Sequence, residues 1–436
     1  MSDKPIRFRA AAQDQLNYIT RANADQQLHV IVACDGRLDA GRLERAVRLA
    51  MERELVLSCR FVEADGRVYW ELRRDLAQLE VCRVVACDDP QPGLAAFVAQ
   101  PGDPCRDPLL QARLFRTPAG DTLCLKINHV AADGTGTKEA AYLVADTYRR
   151  LEADPAYQPG PGRFGRRSQL AIFRQAGLRN LLRYRPRRFG LPAMHFELPF
   201  VGEASQGRGF TLRRLSPADF RVLKAYAHAH GATLNDLLLA ALYRAMFAQG
   251  NPPQDTPLPM QVSIDLRRYL PRGQEQPICN LSSALYPALR YTPGQTFEHT
   301  LADVVAHMGR WKARRPGLTG AMLIQLAVLP GFARAKATIG RLTATSSCRV
   351  APLLLSNFGL LDEERLAFGR LPVRQAWMLG PVMFGHGLML TASTYAGQMT
   401  LAMGTCAGSI APQTVEGLLD RVWQELAGLG SPPALA

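Results

Sequence analysis

The chain alternates short apolar runs with stretches whose apolar residues recur every three or four positions. Leu28–Cys34 (LHVIVAC) is an apolar run closed by the Asp35-Gly36 turn signal and reads as a strand. Asp39 then stands as an N-cap before Leu43, Ala46, Val47, Ala50 and Met51, one apolar face of a helix. Arg60–Glu63 and Arg67–Leu72, separated by Ala-Asp-Gly, predict a hairpin. Thr122–Asn128 reads as a further strand running into a Gly-containing loop, with a helix at about Lys138–Leu151. Further on, Ser216-Pro217-Ala218-Asp219 and Thr233-Leu234-Asn235-Asp236 are two capping-box starts. The helix after the second, Leu237–Ala248, is apolar on nearly every side and is expected to be buried. Strand-like runs recur at Leu258–Ile264, Val350–Leu355, Leu388–Tyr395 and Met399–Thr405, the last two joined by Ala-Gly-Gln. There is no fixed-period repeat. The pattern predicts mixed α/β structure in two lobes.

The 436 residues, 47% of them hydrophobic, suit two domains or two halves of one body and exclude a disordered or collagen-like chain. From Asp154 to Gly162 the composition turns to Pro/Gly linker material. Arg163–Arg188 then carries nine arginines and no acid, and a second Pro/Gly-rich patch runs from Gly190 to Gly209. The domain junction is therefore placed here, with an N-terminal lobe at 1–188 and a C-terminal lobe at 189–436. Within Arg163–Arg188, QLAIFRQAGLRNLLRY has helical spacing, apolar at Leu170, Phe173, Leu178, Leu181 and Leu182. It either packs with a solvated basic face or attracts an acidic carrier, coenzyme A phosphates or anionic lipid at a membrane surface. No apolar run approaches the ~20 residues of a bilayer span, and the start lacks the apolar core of a signal peptide. A cytoplasmic monomer is the expectation.

A net charge of +14 attracts anions without choosing among them, and no nucleic-acid motif accompanies it, so no nucleic-acid partner is expected. The nine cysteines form no CxxC pair and no Cys/His cluster of zinc spacing, so neither structural disulfide nor metal is expected.

The most informative stretch is Leu123–Thr137, LCLKINHVAADGTGT. Alternation puts Leu123, Leu125 and Ile127 on one face, so the strand delivers Asn128 and His129 at its end, where the chain turns. Asp133-Gly134 closes the turn, with the glycine expected to supply a backbone conformation that a Cβ would resist. A histidine there, with an ordinary pKa of ~6.5, is largely neutral at pH 7 and can accept a proton. Gly134-Thr135-Gly136 also invites a dinucleotide-binding reading, but the third glycine of that fingerprint would fall on Glu139.

N-H-x-x-x-D-G after an apolar strand resembles the H-H-x-x-x-D-G motif of the chloramphenicol-acetyltransferase-like superfamily, which includes condensation domains, polyketide-associated acyltransferases, alcohol acyltransferases and wax ester synthases. The early Gln-rich helix, the strand and Gly-Arg-Leu-Asp resemble its N-terminal order. Thr233–Leu242 (TLNDLLLAAL), Ser263–Arg267 (SIDLR), Leu355–Gly359 (LSNFG) and the Thr394–Gly397 hairpin resemble later elements in the right order. The resemblance implies an α/β fold of two chloramphenicol-acetyltransferase-like lobes, each a mixed β-sheet with flanking helices, with an active-site tunnel between them. It implies His129 as the catalytic base and Asp133 paired with Arg267 to shape the loop, with Gly134 and Asn128 as structural members of the motif. Ser356 and Asn357 become candidates to face an oxyanion or line the tunnel, beside the backbone at Gly134. Asn128 departs from the motif: it stands where the family has a first His, and an amide cannot titrate.

The implied activity is acyl transfer from a thioester, on coenzyme A or the phosphopantetheine of an acyl or peptidyl carrier protein, to a small hydroxyl or amine acceptor, with no permanently bound cofactor. The alternatives are a wax-ester or alcohol acyltransferase acting on lipid, and a non-catalytic carrier-binding protein.

Overall fold

A computed structural model describes residues 4–176, 198–202, 204–250, 256–271, 277–312, 315–344 and 353–430. The junction expected at 188/189 lies outside these residues, as do Leu178, Leu181 and Leu182.

Three sheets organise the described chain. Arg7–Arg9, Arg67–Leu72 and Cys59–Ala64 form a small antiparallel one, the last two strands being the expected hairpin. A five-stranded sheet runs in the order Val373–Leu379, Gln27–Cys34, Gly120–Asn128, Leu110–Thr117, Cys82–Ala86, antiparallel except for its last pair. The larger sheet runs Ser282–Leu285, Leu258–Asp265, Leu353–Leu360, Met389–Tyr395, Gln398–Cys406, Arg208–Leu215, with Ala288–Leu289 also paired to Leu258–Asp265. It is mixed, because Leu353–Leu360 is parallel to both its neighbours. Each lobe is thus a mixed sheet with flanking helices. The edge strand Val373–Leu379 comes from the second half of the chain yet pairs with Gln27–Cys34 in the first lobe's sheet.

Strand alternation divides the burial. Val30 and Val32 of Gln27–Cys34 face the first lobe's core, with Leu43, Val47 and Met51 of the helix Ala40–Arg53. Ile31, with Cys124 and Trp377 from neighbouring strands, packs instead towards Ala402 and Phe210 of the second lobe's sheet. Each large apolar side chain removed from water is worth about 1.5–3 kcal/mol, so one sheet face builds the first lobe's core and the other holds the two lobes together. The second lobe's core is built around the helix Leu234–Gly250, buried on nearly every side because the larger sheet and the helices Phe297–Lys312 and Pro412–Ala427 enclose it. Both expected capping boxes form: Asp219 N–H donates to Ser216 Oγ at 3.1 Å, and Asp236 N–H to Thr233 Oγ1 at 3.3 Å. The hairpin between Met389–Tyr395 and Gln398–Cys406 turns on two left-handed residues, Ala396 (φ 47°) and Gly397 (φ 75°).

Only part of the arginine-rich segment lies within the described residues. Its described helix is only Leu170–Ala176. Leu170, expected on the apolar face, is 55% exposed, while Ile172 and Phe173 are buried. Arg163 pairs with Glu54 and Arg167 is buried against Asp14, so part of the basic charge is spent inside the fold. Eight of the nine cysteines are described and carry free thiols. Among the described residues no single helix is long and apolar enough to cross a membrane.

Candidate active site

The strand Gly120–Asn128 ends by pairing Asn128 with Gln27, and the chain then turns away. Asn128 is buried, and its Oδ1 accepts from Val130 N–H at 3.0 Å, the local amide turn that this residue type favours. Its side chain therefore shapes the loop. His129 follows, its N–H donating to the carbonyl of Gln26 at 2.8 Å, a residue itself held at φ 54°. The residue as a whole is half-buried, and its titrating ring is densely surrounded.

Asp133 ends the loop and caps the helix Gly134–Ala153, accepting from Gly136 N–H at 2.9 Å. The helix begins four residues before the expected Lys138, because the carboxylate read only as an ion-pair partner is also its N-cap. Gly134 is the first helical residue and has no positive φ. The glycine is required by space: a Cβ there would lie 2.3 Å from the ring of Phe358, which comes from the second lobe. Gly136 likewise admits the Cys279 backbone, whose oxygen would meet an added Cβ at 3.0 Å.

Arg267 reaches Asp133 from the second lobe, Nη1 to Oδ2 at 2.9 Å, with both side chains buried. The same oxygen accepts from Leu281 N–H at 2.7 Å, and Arg267 Nη2 donates to the carbonyls of Pro277 and Cys279. Burial alone would raise the Asp133 pKa, but the facing guanidinium and these N–H donors hold it below the usual carboxylate range. Arg268, the neighbouring cation, is exposed and lies over the Tyr269 ring.

A second buried ion pair stands beside the loop, and its residues carry no local motif. Arg167 grips Asp14 with Nε and Nη2 at 2.9 and 2.8 Å, and Trp70 Nε1 donates to Asp14 Oδ2 at 2.9 Å. Arg167 also donates to the carbonyls of Ala131, in the His129 loop, and Ile278, in the second lobe. Asn280, fully buried, donates to Asp14 Oδ1 at 3.0 Å and to the Val130 carbonyl at 2.8 Å. Its Oδ1 lies 3.2 Å from His129 Nδ1. Asn17, on the helix Ala12–Ile19, donates to the His129 carbonyl at 2.9 Å. His129 is thus held from four separate stretches of chain. Burial lowers its pKa below the ordinary imidazole value, and the Asp133 charge only partly opposes this. The ring is neutral at neutral pH and chemically a base.

Ser356 and Asn357 lie on Leu353–Leu360 and make no hydrogen bond to His129. Asn357 donates to Asn235 Oδ1 at 2.7 Å, while its own Oδ1 accepts from Gly359 N–H, so its amide is committed. Ser356 Oγ accepts from Ser263 Oγ at 3.0 Å, which leaves its own proton to donate.

No family model matches this sequence. Surfactin synthase subunit 2 of Bacillus subtilis (strain 168) is 28% identical over 124 residues, 28% of this chain and 3% of that protein. The match therefore spans only a small part of the curated relative's length. The likeness in three dimensions covers nearly everything. The trichothecene 15-O-acetyltransferase TRI3 of Fusarium sporotrichioides superposes with a TM-score of 0.70 at 12% identity, over 98% of this chain and 96% of that one. The first condensation domain of the CDA synthetase gives 0.67 at 18% identity over 99% and 98%. Polyketide synthase associated protein 5 of Mycobacterium tuberculosis gives 0.66 at 17% identity over 98% and 100%. The chain has the two-lobed chloramphenicol-acetyltransferase-like fold of these proteins.

Proposed function

We propose that this protein is an acyltransferase that moves an acyl group from a thioester to the hydroxyl or amine of a small acceptor, with His129 as general base. The observation that carries the reading is a neutral imidazole pinned between the two lobes by groups from both. Its likeness in fold to an O-acetyltransferase and a condensation domain supports it.

In this reading His129 accepts the acceptor's proton as the oxygen or nitrogen attacks the thioester carbonyl. The tetrahedral oxyanion takes donors from the Ser356 hydroxyl and from the N-terminus of the helix Gly134–Ala153. The C–S bond then breaks, and the proton passes from the imidazolium to the departing thiolate. Asn128, occupied with the turn, is not asked to titrate. The motif therefore retains its base although its first position is an amide.

The donor is coenzyme A or a carrier-protein phosphopantetheine. The net charge of +14 suits the phosphates of either, and the exposed Arg174 in the Arg163–Arg188 segment suits an acidic carrier or a peripheral membrane contact. The test is incubation with a panel of acyl-CoA and acyl-carrier thioesters and candidate alcohols and amines, long-chain alcohols included, read by mass spectrometry. The expected result is an acylated acceptor together with free thiol. Folded protein that yields no acylated acceptor from any thioester contradicts the assignment.

A further inference from the structure

An imidazole works as a base only through the nitrogen that lacks a proton, so the tautomer of His129 decides whether it can act. The hydrogen bonds around Asn280 help to set that tautomer. Both N–H groups of the Asn280 amide face groups that only accept: Asp14 Oδ1 at 3.0 Å and the Val130 carbonyl at 2.8 Å. Turning the amide over would set its oxygen against a carboxylate and a carbonyl in a fully buried site, an arrangement without a donor. Asn280 Oδ1 is therefore the atom that faces His129 Nδ1 at 3.2 Å, and a carbonyl oxygen can only accept. The proton sits on Nδ1, and Nε2 keeps its lone pair.

The other neighbour of Nδ1 has a shorter hydrogen bond elsewhere. Asn17 Nδ2 lies 3.2 Å from Nδ1 but 2.9 Å from the His129 carbonyl, to which it donates. Gln13 Nε2 donates to Asn17 Oδ1 at 3.1 Å, which fixes that amide's orientation as well. Asp14 is in turn fixed by the two-pronged contact with Arg167, both residues being buried.

We propose that Asn280, oriented by the buried Asp14–Arg167 pair, is a positioning residue that locks His129 with its proton on Nδ1 and so assigns Nε2 as the base. The lock is delivered across the lobe interface, since Asn280 belongs to the second lobe and His129 to the first. It rests on His129 being the base, and Asn128, turned to Val130, takes no part in it.

The test is a long-range proton–nitrogen NMR spectrum of protein labelled with nitrogen-15 in histidine, with His129 assigned by the signal that His129→Ala removes. The wild type is expected to show a protonated Nδ1 and an unprotonated Nε2. Asn280→Leu, which cannot accept, is expected to move the proton towards Nε2 and to lower kcat by at least about tenfold with KM little changed. A wild-type spectrum with the proton on Nε2 overturns the proposal, whether or not the Asn280→Leu variant folds. So does a folded Asn280→Leu that keeps the wild-type pattern. The spectra need no substrate, so the predicted tautomer combined with full activity in His129→Ala would overturn the assigned function and leave the lock standing.

Discussion

At Asp25 the fold carries a carboxyl group at a crossing between the lobes. Its Oδ1 accepts from Gln27 N–H and Val382 N–H, both at 3.0 Å, while Oδ2 has no protein hydrogen-bond partner. Burial pushes its pKa up to about 7. A carboxyl whose pKa is higher folded than unfolded stabilises the fold at low pH and loses that contribution as pH rises, here between about 4 and 7. Asn keeps the same acceptor and cannot ionise. Asp25→Asn is therefore expected to leave the melting temperature unchanged at pH 4 and to raise it at pH 8, by an amount worth at most about 4 kcal/mol. An Asn variant whose melting temperature falls in parallel with the wild type from pH 4 to 8 would show that Asp25 is not the group responsible. At this scale the sequence disclosed some of the site and hid the rest for a definite reason. His129, Asp133 and Gly134 are legible because seven consecutive residues carry them. Asp14, Asn17, Arg167 and Asn280 are not, because the fold gathers them from three distant stretches. Arg167 is one of the nine arginines of Arg163–Arg188, and Asp14 stands among the glutamines and asparagine of the early Gln-rich helix.

The strand Gly120–Asn128 and the helix Gly134–Ala153 make a single device, and Asp133 is its hinge pin. One carboxylate caps the helix, receives Arg267 and accepts from Leu281 N–H, so it ties the first lobe's loop to two second-lobe segments. Asp133→Asn is expected to cost about 3 kcal/mol, because it leaves a buried guanidinium against a neutral amide, with Asp265 at 3.3 Å as a partial replacement. The measurement is denaturant unfolding; an unchanged midpoint would mean the pair contributes nothing to stability. The strand Gly120–Asn128 is readable from alternation, Leu258–Asp265 from its apolar run, and Leu234–Gly250 from its all-round apolar surface. The helix start at Gly134 was not, because glycine argues against helix and only the space demanded by Phe358 explains it there.

The two lobes share material. Val373–Leu379 completes the first lobe's sheet from the far end of the chain, so residues 1–188 alone would expose the edge of Gln27–Cys34 and the apolar face carrying Ile31 and Cys124. That fragment is expected to be insoluble or to melt without a cooperative transition, and a sharp calorimetric transition from it would contradict the shared architecture. Such a strand exchange could not be read from the sequence, since nothing local in Val373–Leu379 states which sheet it joins. The same interleaving positions His129, whose supports come from both lobes. The most direct measurement is therefore acceptor-dependent thiol release from an acyl thioester that the wild type uses, followed at pH 7 beside His129→Ala. The expected result is a loss of on the order of 10²–10⁴ in rate, with melting temperature retained. Equal rates in the two proteins would contradict the base assigned here.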